Sequence, residues 1–160
     1  MAALHSLSLQ DRAFVRLYRW RFVKDVAFEP WTGDLATARV ALVSSAGMVL
    51  PTQARFDHAV KGGDWSYRHI PGDTEVATLI DTHRSASFDH AGMVADPNLA
   101  FPIDRLREFQ AAGRIGEVSP VHLSFMGSIT APEHLIRKSA PEAAARLVAA
   151  QVDLALLVPV

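Results

Sequence analysis

Two short, unbroken apolar runs limit the folds open to this chain: RVALVS at 39–44 and DLALLVP at 153–159. Runs of this kind, rich in valine and leucine and bounded by turn formers, are the pattern of strands buried on both faces, as parallel strands are. Helical stretches lie between them. PIDRLREFQAAG (102–113) reads as a helix, because Pro102 suits its first turn, Asp104 favours its N-terminus and Gly113 is placed to stop it. PVHLSFMGS (120–128) reads as a strand closed by Gly127. Thr130 with Glu133 and Ser139 with Glu142 both match the capping-box pattern, the second opening the helix APEAAARLVAAQ (140–151). WSYRHI (65–70) alternates as a partly exposed strand does, and EVATLIDTH (75–83) offers a further strand ending near His83. RSASFDHAGMVADPNLAF (84–101) has little periodicity and many turn formers, and loops of this length are often functional.

Strands alternating with helices imply an α/β fold with a mainly parallel sheet and flanking helices, Rossmann-like or flavodoxin-like in its layering. An N-terminal helix is expected from Leu9 to Lys24, capped by Ser8. Phe14, Leu17, Tyr18 and Phe22 share one face of it, and Arg12, Arg16 and Arg19 the other. Such a helix either meets a membrane surface or acidic partner, or docks on its own domain with its arginines in water. The expected organisation is an N-terminal helical extension over 1–30 and one α/β domain over 31–160.

Charge and composition narrow the function classes. Lys and Arg number 16 against 17 Asp and Glu, so the broad positive field used in nonspecific nucleic-acid binding is absent. With no cysteine, these residues form no disulfide, thiolate metal site or thiol nucleophile. No apolar run approaches membrane-spanning length, and MAALHSLSLQ lacks a signal-peptide core, so the cytoplasm is the expected compartment. There are seven histidines, but no His-x-x-x-His pair; His83, Asp89 and His90 form only a loose cluster, and no metal is expected. A metal-dependent hydrolase built on that cluster remains a competing reading.

Ligands of open parallel sheets bind beyond the carboxyl ends of the strands. That rule selects Ser44, Ser45 and Gly47 after the first strand, His83 after another, Met126 and Gly127 after a third, and whatever follows Val160.

Taken in order, Trp31-Thr32, VALVSSAGMVL, GDWSYRHIP, the His83 region with FDH, DPNLAFPIDRLREFQAAGRIG, SPVHLSFMG and VDLALLVPV resemble the glycine/betaine/sarcosine/D-proline reductase selenoprotein B family. Within it the chain is most like the selenocysteine-containing D-proline reductase subunit. The resemblance covers nearly everything after residue 30. GDWSYRHIP followed at a distance by DPNLAFPIDRLRE and SFMG is specific, although each piece alone is weak. The stretch after His83 is longer than the family's usual one, so both His83 and His90 are candidates for the family's histidine position.

The resemblance implies a reductase of C–N bonds in small amino acids or methylated amines. The family's last matching strand runs into selenocysteine or cysteine, with a second cysteine three positions on. Selenocysteine is therefore implied directly after Val160, its UGA codon having been read as a stop. No cofactor is expected within this chain. The resemblance further implies that a pyruvoyl group on a partner subunit forms an imine with the substrate nitrogen, that the selenolate attacks the α-carbon, and that a thioredoxin-like donor supplies electrons. An oligomer is expected.

The resemblance assigns these residues a supporting part. His83 and His122 are the candidate catalytic groups, able to orient or protonate a departing amine, or else simply hydrogen-bonded inside the fold. Asp64, Trp65, Tyr67 and Arg68 form a polar-aromatic cluster. It either binds a carboxylate through Arg68, packs on a partner, or is a surface strand with an Arg–Asp pair. Asp89 belongs to the candidate binding set. The reading from a different function class is a binding or assembly module that docks to a partner subunit.

Overall fold

The computed structural model describes residues 8–17, 30–85, 88 and 90–160. The chain divides into two compact units, Met1–Thr32 and Gly33–Val160. In the first, Leu9–Leu17 is helical (α1). The remainder of the expected N-terminal helix, with Tyr18, Arg19 and Phe22, lies outside the described residues, so its amphipathic faces are not established.

The second unit is built on a mixed, mostly parallel sheet, which confirms the α/β class. The apolar run Arg39–Ser44 forms its centre (β1), with Ala41 and Leu42 fully buried. Parallel β7 (Leu154–Val158) pairs with one edge of β1 along Val40–Ser44. The other edge meets β5 (Glu117–Val118) and then β6 (Val121–Phe125), both parallel. β3 (Tyr67–Pro71) closes that side antiparallel to β6. β2 (Met48–Val49) and β4 (Ile80–Asp81) make a separate antiparallel pair.

β5 and β6 are one strand broken at Ser119-Pro120. Arg39 pairs with Glu117 and Val40 with Val118, whereas Val43 pairs with Leu123, so the register slips by two residues. Pro120 has no N–H to give the ladder, and the Ser119 hydroxyl binds both the carbonyl and the amide of Val121 across the break.

The helix expected at Pro102 is α3 (Ile103–Ala111), stopped where Gly113 takes a left-handed φ of 66°. α4 (Ala140–Ala149) feeds β7 as expected. Three local expectations need correction. Ser139 does not cap α4: its hydroxyl donates to the Trp65 carbonyl, and the helix enters through a π turn over Leu135–Ser139. Pro141, the second residue of α4, accounts for this: the helical chain runs back through the π turn, and there a proline removes an amide donor and crowds the carbonyl four residues back. The strand expected over 75–83 shrinks to Ile80–Asp81, preceded by a 3-10 turn over Val76–Thr78. Finally, the stretch read as irregular contains α2 (His90–Ala95), anchored by buried Met93, and a 3-10 turn over Pro97–Leu99 capped by Asp96.

The main core lies between β1 and the α2–α3 side, where Leu42, Phe101, Ile103 and Leu106 pack together. The residues of this cluster recur along β1 at Val40 and Leu42, one face of the strand.

Candidate functional site

The carboxyl ends of β1, β6 and β7 converge on one edge. Ser45 follows β1; its amide donates to the Val158 carbonyl (3.1 Å) and its hydroxyl accepts from the Val160 amide (2.9 Å). Gly47, at φ 67°, donates to the Phe125 carbonyl (2.8 Å), and its own carbonyl accepts from the Thr82 amide. A Cβ on Gly47 would stand 3.1 Å from the His83 backbone, so the glycine allows the β1 turn to lie against the chain leaving β4.

His83 is the titratable side chain brought to this edge. Only 7% of its surface is exposed. Asp81 accepts from the His83 amide (2.7 Å) and also binds the His90 ring, and Phe88 packs on the His83 ring. Nδ1 accepts from the Ser85 amide (3.3 Å), so in the neutral ring the proton sits on Nε2. Nε2 is buried and has no partner. It lies 3.3 Å from where a Gly127 Cβ would be, and that same Cβ would meet the Ser45 carbonyl at 2.5 Å. Burial lowers the His83 pKa, with Asp81 working the other way and His90, His58 and Arg84 reinforcing the lowering. Gly127 (φ 64°) and Ser128 (φ 47°) are consecutive left-handed residues. For serine that conformation is costly, and such strain clusters at functional sites.

A cavity of about 470 Å³ opens beside Ser45 and Gly127, walled by Val43, Phe125, Leu135 and Leu157. It is almost wholly apolar, and Leu157 remains 68% exposed. Low polarity at this edge strengthens any hydrogen bond made there.

Of the sequence-selected residues, Ser44, Ser45, Gly47, His83 and Gly127 meet here. Ser44 does so structurally, its hydroxyl donating to the Ala100 carbonyl (2.6 Å). Met126 packs into the core with Val49 and Phe56. Asp64 and Arg68 form no direct ion pair: Ser66 stands between them, donating to Asp64 (2.6 Å) and accepting from Arg68 (2.9 Å). Partial burial pushes the Asp64 pKa up, but bonds from Ser66 and Asp57 outweigh it and hold the group below its ordinary value. Arg68 also donates to the carbonyls of Ala54, Tyr67 and Arg55, and lies over Phe56, so its guanidinium is committed to the loop. Asp89 lies outside the described residues.

His122 is placed differently. It is fully buried in mid-strand, and its Nδ1 accepts from the Leu42 amide (2.8 Å). That amide faces the Ser119-Pro120 break, and the imidazole replaces the missing ladder acceptor. Burial, with Arg107 and His69 adding to it, lowers the His122 pKa to about 4. Sequence reasoning missed Asp81, although an Asp two residues before the histidine, bonding forward to its amide, is an Asx-turn signal. It also missed Ser128, whose backbone conformation leaves no mark in the sequence.

Among the described residues no group of three or more histidines, cysteines, aspartates or glutamates is placed to hold a metal. None of their helices is long and apolar enough to cross a membrane.

An α/β domain with its polar residues gathered where parallel strands end is the architecture of a ligand-binding or catalytic unit. The sequence matches the glycine/sarcosine/betaine reductase selenoprotein B family over residues 5–159, and the chain belongs to that family. It is 34% identical over 128 residues to D-proline reductase subunit gamma of Acetoanaerobium sticklandii, covering 80% of this chain and 51% of that protein. Two proteins of Peptoclostridium acidaminophilum are also similar. They are betaine reductase complex component B subunit beta (29% over 97 residues; 61% of this chain, 22% of that one) and sarcosine reductase complex component B subunit beta (30% over 104; 63% and 23%). The chain thus spans about half the length of the first relative and under a quarter of the other two. No solved structure matches it.

Proposed function

We propose that the chain is part of a cytoplasmic oxidoreductase subunit that reductively cleaves a C–N bond of a small amino acid or amine. Its nucleophile is a selenocysteine or cysteine directly after Val160. The observation that carries this reading is the sheet edge itself. The Ser45 hydroxyl holds the Val160 amide there, and the buried, unpartnered Nε2 of His83 lies across Gly127 from Ser45. A residue following Val160 starts from that edge. The selenolate or thiolate supplies the attacking electron pair, and a pyruvoyl group on a partner subunit activates the amine.

The chain's own residues prepare the place. Ser45 fixes the backbone after β7, and Gly127 leaves room beside it. In the neutral ring that burial favours, His83 Nε2–H points a hydrogen-bond donor at the edge, towards an anionic atom; only as the imidazolium would it carry the proton for a departing amine. In the balanced reaction the nucleophile bonds to carbon as the C–N bond breaks and the amine leaves with a proton. The cysteine three positions on then displaces the carbon, which takes up a proton, and the resulting selenenylsulfide or disulfide is reduced by two electrons from a thioredoxin-like donor. Without the nucleophile, residues 1–160 are expected to be inactive. The apolar cavity and exposed Leu157 favour one second reading, a non-catalytic assembly module docked to a partner subunit.

Reading the gene beyond codon 160 separates the two. The reductase reading expects TGA there, with the frame continuing through a cysteine codon three positions on. An ordinary stop followed by unrelated sequence would sink it and leave the assembly module.

A further inference from the structure

The GDWSYRHIP segment carries residues that the sheet edge does not use. Tyr67 and His69 alternate along β3 and share a face. Opposite them Lys138, Glu142 and Arg146 recur every four residues along the helical segment, also on one face. With Trp65 they line a groove of about 340 Å³. The Ser139 hydroxyl locks its two walls together through the Trp65 carbonyl (2.6 Å).

Both cations in the groove rest on aromatic rings. The Lys138 ammonium lies 5.2 Å from the Trp65 ring centre, and His134 stacks on the same ring. The Arg146 guanidinium lies 6.0 Å from the Tyr67 ring centre and donates to its hydroxyl (2.8 Å). Neither cation pairs with a carboxylate among the described residues. Tryptophan, tyrosine and arginine are the residue types that dominate binding energy at protein interfaces.

We infer that this groove is a docking surface for an acidic segment of a partner protein. Lys138 and Arg146 stand eight residues apart on the helical segment, about 12 Å of backbone rise, a spacing that suits two acidic side chains better than one carboxylate or phosphate. An extended segment rising about 3.3 Å per residue reaches both with acidic side chains some four residues apart. Glu142, between the two cations, opposes such a ligand and sets the sign of the test. The inference is independent of the reductase reading.

The probe is a synthetic hexaglutamate peptide, titrated into the 160-residue chain at low ionic strength. The indole N–H resonance of Trp65, assigned with Trp65→Phe, reports binding. Hexaglutamate is expected to move it saturably and hexalysine to leave it still. Joint Lys138→Gln and Arg146→Gln substitution is expected to weaken binding about tenfold, and about 0.5 M salt to abolish it. Glu142→Gln is expected to tighten binding about threefold. Both cationic side chains are exposed, and an unchanged amide spectrum confirms that the variants fold. The inference falls if hexaglutamate leaves Trp65 unmoved, if Glu142→Gln weakens binding, or if inorganic phosphate moves Trp65 as strongly as the peptide does.

Discussion

His83 and His122 begin alike and end differently. Each is buried, each accepts a backbone N–H at Nδ1, and each leaves a buried Nε2 without a partner. Their positions separate them. His122 sits in the middle of a ladder, bonded to an amide that the Ser119-Pro120 break has deprived of a strand partner. His83 sits past the end of β4, bonded at 3.3 Å to the amide of Ser85 in the following loop, its unpartnered nitrogen turned towards the edge where three strands end. An orphaned buried donor is therefore not a functional signal by itself. What counts is whether the other ring nitrogen is indispensable to the backbone.

The largest effect is expected from removing His122. His122→Ala leaves the buried Leu42 amide unsatisfied and opens a cavity beneath Phe101, which packs edge-on against the imidazole. The expected loss is about 3 kcal/mol of unfolding free energy in urea titration. A loss below about 1 kcal/mol would mean that the ladder closes without the ring, and the structural assignment of His122 would fail.

The burial of His122 also makes the fold sensitive to acid. In the unfolded chain His122 takes up a proton near 6.5, and in the folded chain only near 4. Between those values the unfolded state binds more protons, so stability falls as the pH drops through that window. The expected loss from this group is about 3 kcal/mol once the window is crossed. His83 and His69, whose pKa values burial also lowers, contribute with the same sign. His122→Asn, compared with the unaltered chain from pH 7 to 4 by thermal melting, is expected to lose most of this dependence; an undiminished slope would assign it to other groups.

Much of this arrangement was legible in the sequence, and the rest failed for identifiable reasons. β1 and α3 were readable because an unbroken apolar run, and a proline start with a glycine stop, are local signals. α2 was not, because a six-residue helix containing Gly92 has little propensity of its own and depends on burying Met93. The capping box at Ser139 misled because Pro141 perturbs the helix entrance and the serine hydroxyl found a tertiary acceptor. Ser45, Gly47, His83 and Gly127 followed from the rule about strand ends. His122 did not belong with them, and Pro120, two residues before it, was the unused sign that its strand is interrupted.

The edge itself can be tested through its glycines. Gly127 and Gly113 have nearly the same backbone, φ 64° and 66°, but different surroundings. A Cβ at Gly127 would meet the Ser45 carbonyl at 2.5 Å, whereas one at Gly113 would meet nothing within 4 Å. Gly113→Ala is expected to cost about 1 kcal/mol for backbone strain alone, and Gly127→Ala about 2 kcal/mol because the β1 and β6 turns must also separate. Equal losses in parallel urea titrations would show that the close approach at this edge is loosely held.

The smallest effect is expected at His83. Its Nδ1 contact is long, its loop can relax, and the edge it faces has no ladder amide depending on the ring. His83→Gln keeps a side-chain donor and is expected to cost under about 1 kcal/mol. Stability alone does not establish a role in proton transfer, so the second readout is the titration of His83 itself. In the unaltered chain its Cε1 proton resonance is expected to titrate below 6.5, and Asp81→Asn, which removes the opposing carboxylate charge, is expected to lower it further. A destabilisation as large as that of His122→Ala would make His83 a second structural plug and end its candidacy as the donor at the sheet edge.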